Sequence, residues 1–435
     1  MNLPFIKHTL ANGLDVIVHE DHGCPIVAVN VWYHVGSKNE RPGRTGFAHL
    51  FEHLMFEGSQ HTNQGYFYPL QQAGAELNGS TNADRTNYWE VVPSSALDLA
   101  LWMESDRMGH LLPALTREKF ENQRDVVLNE RRQNYENRPY GMVGMATMEA
   151  LYPVDHPYSW MTIGRIKDLQ AAELDEVRSF FKTFYGPANA SLTIAGDVEV
   201  DKVLEMAEHY FEEISGGPAP PAVEVEGPLI CDERRLLIED RVELPRLYLA
   251  WHSPQLFGPG DAELDLLSDV LSNGKASRLY RTLVHELRLA TDVSVVQSSR
   301  ELSGVFQIVA TAAPGHTLRE LDDVISIELE RVSADELTTD ELHRSLVQIE
   351  TSFVCQLETV GGFGGKSDQL NGYNVVVNDP GYFETDLSRY RNATSATIAR
   401  ISRDHLSDRQ RIAVSVVPIG ATKLALPDSV VAEVS

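Results

Sequence analysis

The chain has 435 residues, three cysteines and a formal net charge of −26. This length exceeds what one hydrophobic core usually organises, so two or more domains are expected. The excess of acidic residues argues against a nucleic-acid partner, because phosphate binding needs clustered Lys and Arg. No apolar run approaches the length of a membrane span, so we expect no membrane partner either.

The cysteines indicate a reducing compartment. Cys24, Cys231 and Cys355 are far apart and odd in number, so they do not suggest a disulfide framework. The first twenty residues have neither the basic region nor the apolar core of a signal peptide. We therefore expect a cytoplasmic protein, or a periplasmic one if a leader was removed from this sequence.

The strongest local signal follows two predicted strands, at 14–20 and 26–35. It is the pentapeptide His49-Leu50-Phe51-Glu52-His53, in a segment whose apolar residues recur every three or four positions, as on an amphipathic helix. On a helix, His49 and His53 lie one turn apart, and Glu52 lies within the same arc. Two imidazoles on one face can hold a zinc ion while the carboxylate reaches a water molecule on it. This order matches the inverted His-x-x-Glu-His motif of inverzincins.

So short a match also occurs by chance, as two ordinary histidines on an amphipathic helix. A catalytic zinc usually takes three protein ligands and leaves the fourth position to water, so a third ligand must come from elsewhere. The segment 116–137 predicts a long charged helix. It contains Glu130, 77 residues after His53. Between the two, the stretch 78–88 is typical of an edge strand.

The inverted motif, Glu130 within a Val-Val-x-x-Glu-Arg run and the 78–88 stretch together resemble the pitrilysin/insulinase family of zinc peptidases. Its members include the catalytic subunit of the mitochondrial processing peptidase and bacterial enzymes of a single half, the type that this chain resembles. The resemblance implies one zinc ion per chain, with His49, His53 and Glu130 as ligands and Glu52 as general base. It also implies that an extended peptide adds as a strand at Asn78, Gly79, Ser80, Thr81, Asn82 and Ala83.

At one position the chain departs from the family pattern. Members often carry a second Glu two helical turns before the ligand Glu, and this chain has Gln123 there. Seven residues turn a helix through 700°, so Gln123 and Glu130 share a face. We expect Gln123 to hydrogen-bond a ligand histidine from outside, without the negative charge of a Glu.

A Gly- and Pro-rich linker at 216–222 separates two halves whose predicted elements repeat. The pattern predicts an α+β fold of two homologous domains, each an antiparallel-rich sheet with helices packed on one face. Residues 1–215 would form the zinc-binding catalytic domain. Residues 223–435 would form a homologous domain without the metal motif, since its corresponding helix, around 264–269, has no histidine.

A glycine-rich segment at 361–367 ends like a phosphate-binding loop. Val360 stands where that motif needs Gly, and the residues before it follow a helical rather than a strand pattern. We interpret the segment as a loop or a helix break and expect no nucleotide.

The family resemblance also implies a partner. Members stabilise the oxyanion with an Arg–Tyr pair from the half opposite the zinc, and 223–435 offers no clear counterpart. We therefore expect a heterodimer with a homologous subunit that supplies this pair, or secondly a homodimer. The function expected is that of a zinc endopeptidase acting on extended or unfolded peptides, with basic peptides favoured by the acidic charge. A non-catalytic scaffold subunit and a zinc hydrolase of a non-peptide substrate are the alternatives.

Overall fold

The computed structural model describes residues 3–62, 65–225, 232–334 and 337–433. Their contacts divide the chain into two units, each made of three segments. The first unit comprises Met1–Glu130, Trp160–Glu224 and Ser352–Thr385. The second comprises Arg131–Ser159, Val225–Thr351 and Asp386–Ser435.

Strands and helices alternate along most of the chain, and none of the described helices is long and apolar enough to cross a membrane. The strands are β1 (Ile6–Thr9), β2 (Asp15–Glu20), β3 (Ile26–Tyr33), β4 (Glu76–Thr81), β5 (Thr86–Pro93), β6 (Ala190–Gly196), β7 (Arg234–Asp240), β8 (Arg246–Ser253), β9 (Ala290–Ser298), β10 (Gly304–Ala312), β11 (Ile412–Pro418) and β12 (Val430–Val431). The helices are α1 (Phe47–Leu54), α2 (Phe67–Gln72), α3 (Leu97–Ala114), α4 (Arg117–Arg131), α5 (Val143–Leu151), α6 (Ile166–Ala171), α7 (Leu174–Phe184), α8 (Val200–Phe211), α9 (Asp261–Ser272), α10 (Leu318–Ser333), α11 (Thr339–Gln356), α12 (Lys366–Val377), α13 (Phe383–Arg391) and α14 (Ser395–His405).

The first unit contains a six-stranded sheet in the order β1-β2-β6-β3-β5-β4. Neighbouring strands are antiparallel except β2 and β6, which are parallel. Successive side chains of a strand point to opposite faces, so β3 presents Val27, Val29 and Val31, all fully buried, to one face. Strand β4 ends the sheet and pairs with β5 alone among the described strands.

Helix α12 lies against the other face of this sheet, and its buried side is polar. The hydroxyls of Ser191 and Thr193 on β6 donate to Oδ1 of Asn371, at 2.7 and 2.8 Å. The amide of Asn371 donates to the carbonyl oxygen of Asn30 at 2.8 Å. Because the sheet carries polar residues on this face, the helix that covers it has polar residues at its contact positions.

The second unit contains a six-stranded sheet in the order β12-β7-β11-β8-β10-β9. Two consecutive residues of β8 show that helices cover both of its faces. The indole N–H of Trp251 donates to the carbonyl of Ser407, just after α14, at 3.0 Å. Nε2 of His252 lies 2.9 Å from the carbonyl oxygen of Leu151, the last residue of α5.

The predicted fold class is confirmed, with two antiparallel-rich sheets and packed helices. The predicted domains, 1–215 and 223–435, were contiguous, whereas the contacts assign 131–159 to the second unit and 352–385 to the first. The reason is that α5 and α12 each pack on the sheet of the unit formed mainly by the other half of the sequence. The sequence predicted helices on only one face of each sheet, so it did not anticipate that α5 and α12 cover the other faces. The predicted linker at 216–222 lies in chain without helix or strand, between α8 and β7.

Candidate metal centre

The helix that carries the His-Leu-Phe-Glu-His motif, α1, is capped by a buried carboxylate. Glu40 accepts hydrogen bonds from the backbone N–H groups of Gly46 and Ala48, both at 2.9 Å. Burial raises the pKa of Glu40 to about 8, and the backbone donors oppose the rise. Gly46 has a φ of 90°, and a Cβ there would meet Cα of Gly164 at 3.1 Å. A Gly therefore begins this helix where a Ser or Asp cap would be more usual.

The apolar stripe of α1 determines which way its motif faces. Leu50, Phe51 and Leu54 are fully buried. The ring of Phe51 packs against Phe181 and Tyr185, at centroid distances of 5.6 and 5.1 Å. Burying a side chain of this size stabilises a fold by ~1.5–3 kcal/mol. With this stripe in the core, the motif histidines stay on the half-buried side of the helix.

Glu130 of α4 meets the two histidines there. The Nε2 atoms of His49 and His53 each lie 3.6 Å from one of the Glu130 carboxylate oxygens. The three candidate ligand atoms are all within 4.8 Å of one another. Tetrahedral zinc with bonds of ~2.0–2.2 Å has its ligand atoms about 3.3–3.6 Å apart. The structure thus brings the three predicted ligands together in a set that fits zinc.

The protonation states also fit metal chemistry. Burial, with a further contribution from His53, lowers the pKa of His49 to about 4, so its imidazole is neutral near pH 7. Neutral imidazole is the form that binds metals. Burial raises the pKa of Glu52, and Thr81, His53 and Arg85 oppose the rise. A carboxylate with a raised pKa is a stronger base, which suits proton transfer near neutral pH.

Gln123 on α4 contacts the outer nitrogen of His53, as its helical register predicted. Nδ1 of His53 and Oε1 of Gln123 are 3.2 Å apart. The other end of the amide, Nε2, donates to a carboxylate oxygen of Glu57 at 2.5 Å. Because an ionised carboxylate only accepts hydrogen bonds, the amide nitrogen must face Glu57 and its oxygen must face His53. Nδ1 of His53 is therefore the donor in this contact.

The predicted substrate-binding stretch divides into a strand and a turn. Residues 78–81 belong to β4, whereas Asn82 and Ala83 lie in the turn that leads to β5. The carbonyls of Asn82 and Ala83 accept from the backbone N–H groups of Ser37 and Lys38, at 3.2 and 2.9 Å. The prediction of one edge strand over 78–88 is therefore wrong, because the chain reverses there into a hairpin. Only its 78–81 part lies on the terminal strand.

Arg85, at the end of this turn, was not predicted as a site residue because the hairpin was not recognised. Its Nη1 donates to the carbonyl oxygen of Ser80 at 2.8 Å, and its guanidinium lies 5.0 Å from the ring centroid of Trp32. Burial lowers the pKa of Arg85, and the nearby carboxylates of Asp368 and Glu52 oppose this effect. Arg85 therefore places a positive charge close enough to influence Glu52.

A second group of ligand-type residues lies elsewhere in the first unit. His61, Asp106 and His110 have candidate ligand atoms within 4.8 Å of one another. Here the buried carboxylate is already engaged, because Asp106 accepts from the hydroxyl of Ser59 and pairs with Nδ1 of His61 at 2.5 Å. Glu130, by contrast, has its oxygens directed at two imidazoles. We therefore interpret the Asp106 cluster as a support for the segment after α1.

The second unit has no equivalent centre among its described residues. Its helix α9 contains no histidine, and its carboxylates include Asp265 and Asp269. Asp265 accepts a hydrogen bond from the hydroxyl of Tyr390 at 2.8 Å. This agrees with the predicted loss of the metal motif from the second half.

The chain has two α+β units, and among the described residues a metal-ligand set of two histidines and a glutamate comes together in the first unit only. This is the organisation of a metallopeptidase with one active and one inactive domain. Residues 15–156 match the family described as insulinase (peptidase family M16), and residues 171–348 match the peptidase M16 inactive domain. The chain belongs to peptidase family M16, which confirms the family resemblance found in the sequence.

Relatives of this chain span most of its length. It is 29% identical over 415 residues to the zinc protease PqqE of Helicobacter pylori (strain ATCC 700392 / 26695), covering 94% of this chain and 92% of that protein. It is 22% identical over 431 residues to a probable mitochondrial-processing peptidase subunit beta of Arabidopsis thaliana, covering 94% and 77%. The crystal structure of a protease from Helicobacter pylori superposes with a TM-score of 0.89 at 28% identity, covering 96% of this chain and 100% of that one. The family evidence thus supports a zinc protease.

Proposed function

We propose that this chain is a zinc-dependent endopeptidase that cleaves extended or unfolded peptides. The observation that carries the proposal is the convergence of His49, His53 and Glu130, whose ligand atoms lie within 4.8 Å of one another. These three residues would hold the zinc ion, in the manner of an inverzincin. When bound, zinc lowers the pKa of its water ligand toward neutrality and polarises the scissile carbonyl.

Glu52 would perform the proton transfers. It follows His49 by three residues on α1, so its carboxylate lies on the same side of the helix as the ligands. It would accept the proton of the attacking water as the new C–O bond forms. It would then deliver that proton to the amine nitrogen as the peptide C–N bond breaks.

Strand β4 would bind the substrate. It is the terminal strand of its sheet, so its outer backbone groups can pair with an added strand through residues 78–81. Binding of this kind recognises the peptide backbone and makes few demands on side chains. The formal charge of −26 would favour basic peptides through long-range attraction.

Metal analysis tests the ligand assignment. We expect about one zinc per chain, and Glu130→Gln is expected to lose it, because two imidazoles alone hold zinc weakly. The matched control is His61→Ala, which alters the other ligand-type cluster and should keep its zinc. Zinc content by atomic emission, with cleavage of a flexible internally quenched peptide before and after chelation, gives the measurement. Full zinc occupancy in Glu130→Gln would remove Glu130 from the ligand set, and a zinc-bound protein that cleaves no peptide would favour the scaffold alternative.

We also propose that the chain works as one side of a dimer, with a homologous subunit that lacks the motif. Zinc can stabilise part of the oxyanion charge, but hydrolases usually add a hydrogen-bond donor. The adjacent Arg389 and Tyr390 of the second unit are already engaged, since Arg389 pairs with Asp261 and Asp386 and Tyr390 donates to Asp265. A partner subunit would supply the missing donors.

The isolated chain is therefore expected to cleave peptides slowly although its zinc is in place. Losing one oxyanion donor typically lowers turnover by ~10²–10³-fold. Adding the correct homologous subunit should restore the rate, with a dependence on its concentration. Sedimentation velocity and peptide turnover on the same samples check this. A monomer that cleaves at full rate would contradict the proposal, and a fully active homodimer would contradict only the heteromeric part.

A further inference from the structure

We infer that Glu57 is a positioning residue of the metal centre, which fixes the orientation of the Gln123 amide and thereby the tautomer of His53. This inference rests on the zinc site proposed above. It assigns a role to a carboxylate outside the proposed ligand set of His49, His53 and Glu130. The contacts that carry it are the two hydrogen bonds of the Gln123 side chain, 3.2 Å to His53 and 2.5 Å to Glu57.

The backbone at Glu57 is held by both helices of the site. Glu57 follows His53 by four residues, and its N–H donates to the carbonyl of Leu54 at 3.1 Å in the turn that ends α1. The ammonium of Lys119, in the first turns of α4, donates to the carbonyl oxygen of Glu57 at 3.0 Å. The carboxylate is therefore presented to Gln123 from a defined position.

A glutamine amide is ambiguous because it has a donor at one end and an acceptor at the other. Nε2 of His53 can bind zinc only when the ring proton is on Nδ1, and Oε1 of Gln123 accepts that proton. If the Gln123 amide were flipped, its NH₂ group would face Nδ1 of His53 and stabilise the tautomer with the proton on Nε2. That tautomer cannot bind the metal through Nε2. Glu57 prevents the amide flip because its carboxylate accepts only from the amide nitrogen.

The other ligand histidine has no comparable support. The buried Nδ1 of His49 has no hydrogen-bond partner among the described residues. Of the two ligand histidines, His53 is therefore the one whose ring is oriented by a hydrogen bond from outside the ligand set. A carboxylate at position 123 would accept through either oxygen and would need no such control.

A double-mutant cycle on zinc affinity tests the inference. Glu57→Ala is expected to weaken zinc binding by ~10–100-fold, the usual effect of removing an outer hydrogen-bond partner. In the Gln123→Glu background the same change is expected to leave affinity unchanged or to increase it. There, two carboxylates would face each other across the present 2.5 Å contact, so removing Glu57 relieves repulsion. Competition with a chromophoric chelator measures the affinity of all four proteins.

Asp125→Ala is the matched control, because it removes one exposed negative charge from α4 without touching this chain of contacts. It is expected to change zinc affinity by less than twofold. Equal losses from Glu57→Ala in both backgrounds would show a merely structural role and would overturn the inference. Unchanged affinity of Glu57→Ala in the Gln123 background would overturn it as well. A parent protein without a specific zinc site would instead overturn the proposed function, and the inference with it.

Discussion

Replacing Glu52 with Gln is expected to lower peptide turnover by ~10²–10⁴-fold, the usual contribution of a general base, while zinc stays bound. The amide keeps the size of the side chain but cannot accept the proton of the attacking water. The zinc ligands proposed here, His49, His53 and Glu130, are untouched by the change. Turnover of a quenched peptide and zinc content, both measured on the same preparation, check the two halves of this expectation.

Glu118→Gln provides the matched control, since it makes the same chemical change at an exposed position of α4. It should leave both turnover and zinc content near those of the parent protein. Two results would argue against the role of Glu52. One is a Glu52→Gln protein with near-normal turnover. The other is loss of zinc in that protein, which would place Glu52 among the ligands.

The candidate site was largely predictable because its geometry is local. His49, Glu52 and His53 share one turn of α1, so helical spacing alone places them on one side. The same spacing placed Gln123 and Glu130 on one face of α4. Glu57 also follows His53 at a helical spacing of four residues. Its role, however, depends on where Gln123 lies on another helix. Spacing along one helix does not provide that information.

The packing of α12 could not be predicted in the same way. Asp368, Asn371 and Asn374 recur every three residues, a pattern that ordinarily indicates a solvated helix face. In the structure Asn371 is fully buried, and Asp368 accepts from the indole N–H of Trp32 at 2.8 Å. Because the face of the sheet that α12 covers is also polar, the polar side chains of the helix and of the sheet hydrogen-bond to each other. Hydrophobic periodicity cannot reveal such a contact, nor which half of the chain supplies the helix.

The buried charges of α3 escaped prediction for a related reason. Glu104 and Arg107 occur in a run of mixed charges that is typical of a helix exposed to solvent. Both are fully buried instead. Nε of Arg107 donates to Glu104 at 2.8 Å, and its guanidinium lies 4.0 and 4.2 Å from the ring centroids of Tyr66 and Tyr88. The two opposite charges therefore neutralise each other inside the core of the first unit.

A further carboxyl, Glu90 of β5, is fully buried beside this pair. Burial, together with the charge of Glu104, raises the pKa of Glu90 well above its usual range, and Arg107 opposes the rise. Glu90 therefore holds its proton to higher pH than an exposed glutamate does. A protonated Glu90 adds no charge to the Arg107–Glu104 ion pair beside it. Removing the Arg107 cation would leave the buried Glu104 carboxylate without a counter-ion, although the Tyr66 hydroxyl would still donate to it at 3.1 Å.

Arg107→Leu is accordingly expected to lower the free energy of unfolding by about 3–5 kcal/mol, the usual effect of breaking a buried ion pair from one side. Urea unfolding followed by circular dichroism measures it, with the exposed Arg117→Leu as control. Adding Glu104→Gln to Arg107→Leu should recover part of the loss, because the orphaned charge is then gone. A loss below 1 kcal/mol would show that Glu104 is not left charged and unpaired in the core.

Glu90→Gln, in contrast to Arg107→Leu, is expected to raise the free energy of unfolding near neutral pH. Folded Glu90 keeps a proton that the unfolded chain releases above its ordinary pKa of about 4.5, so this group makes the parent protein less stable as the pH rises from there. The amide mimics the protonated acid and removes that dependence. Glu90→Gln should therefore unfold at higher urea than the parent at pH 7.5, with the difference vanishing near pH 4. A variant less stable than the parent at pH 7.5 would mean that Glu90 is ionised in the folded protein and that Arg107 neutralises two carboxylates.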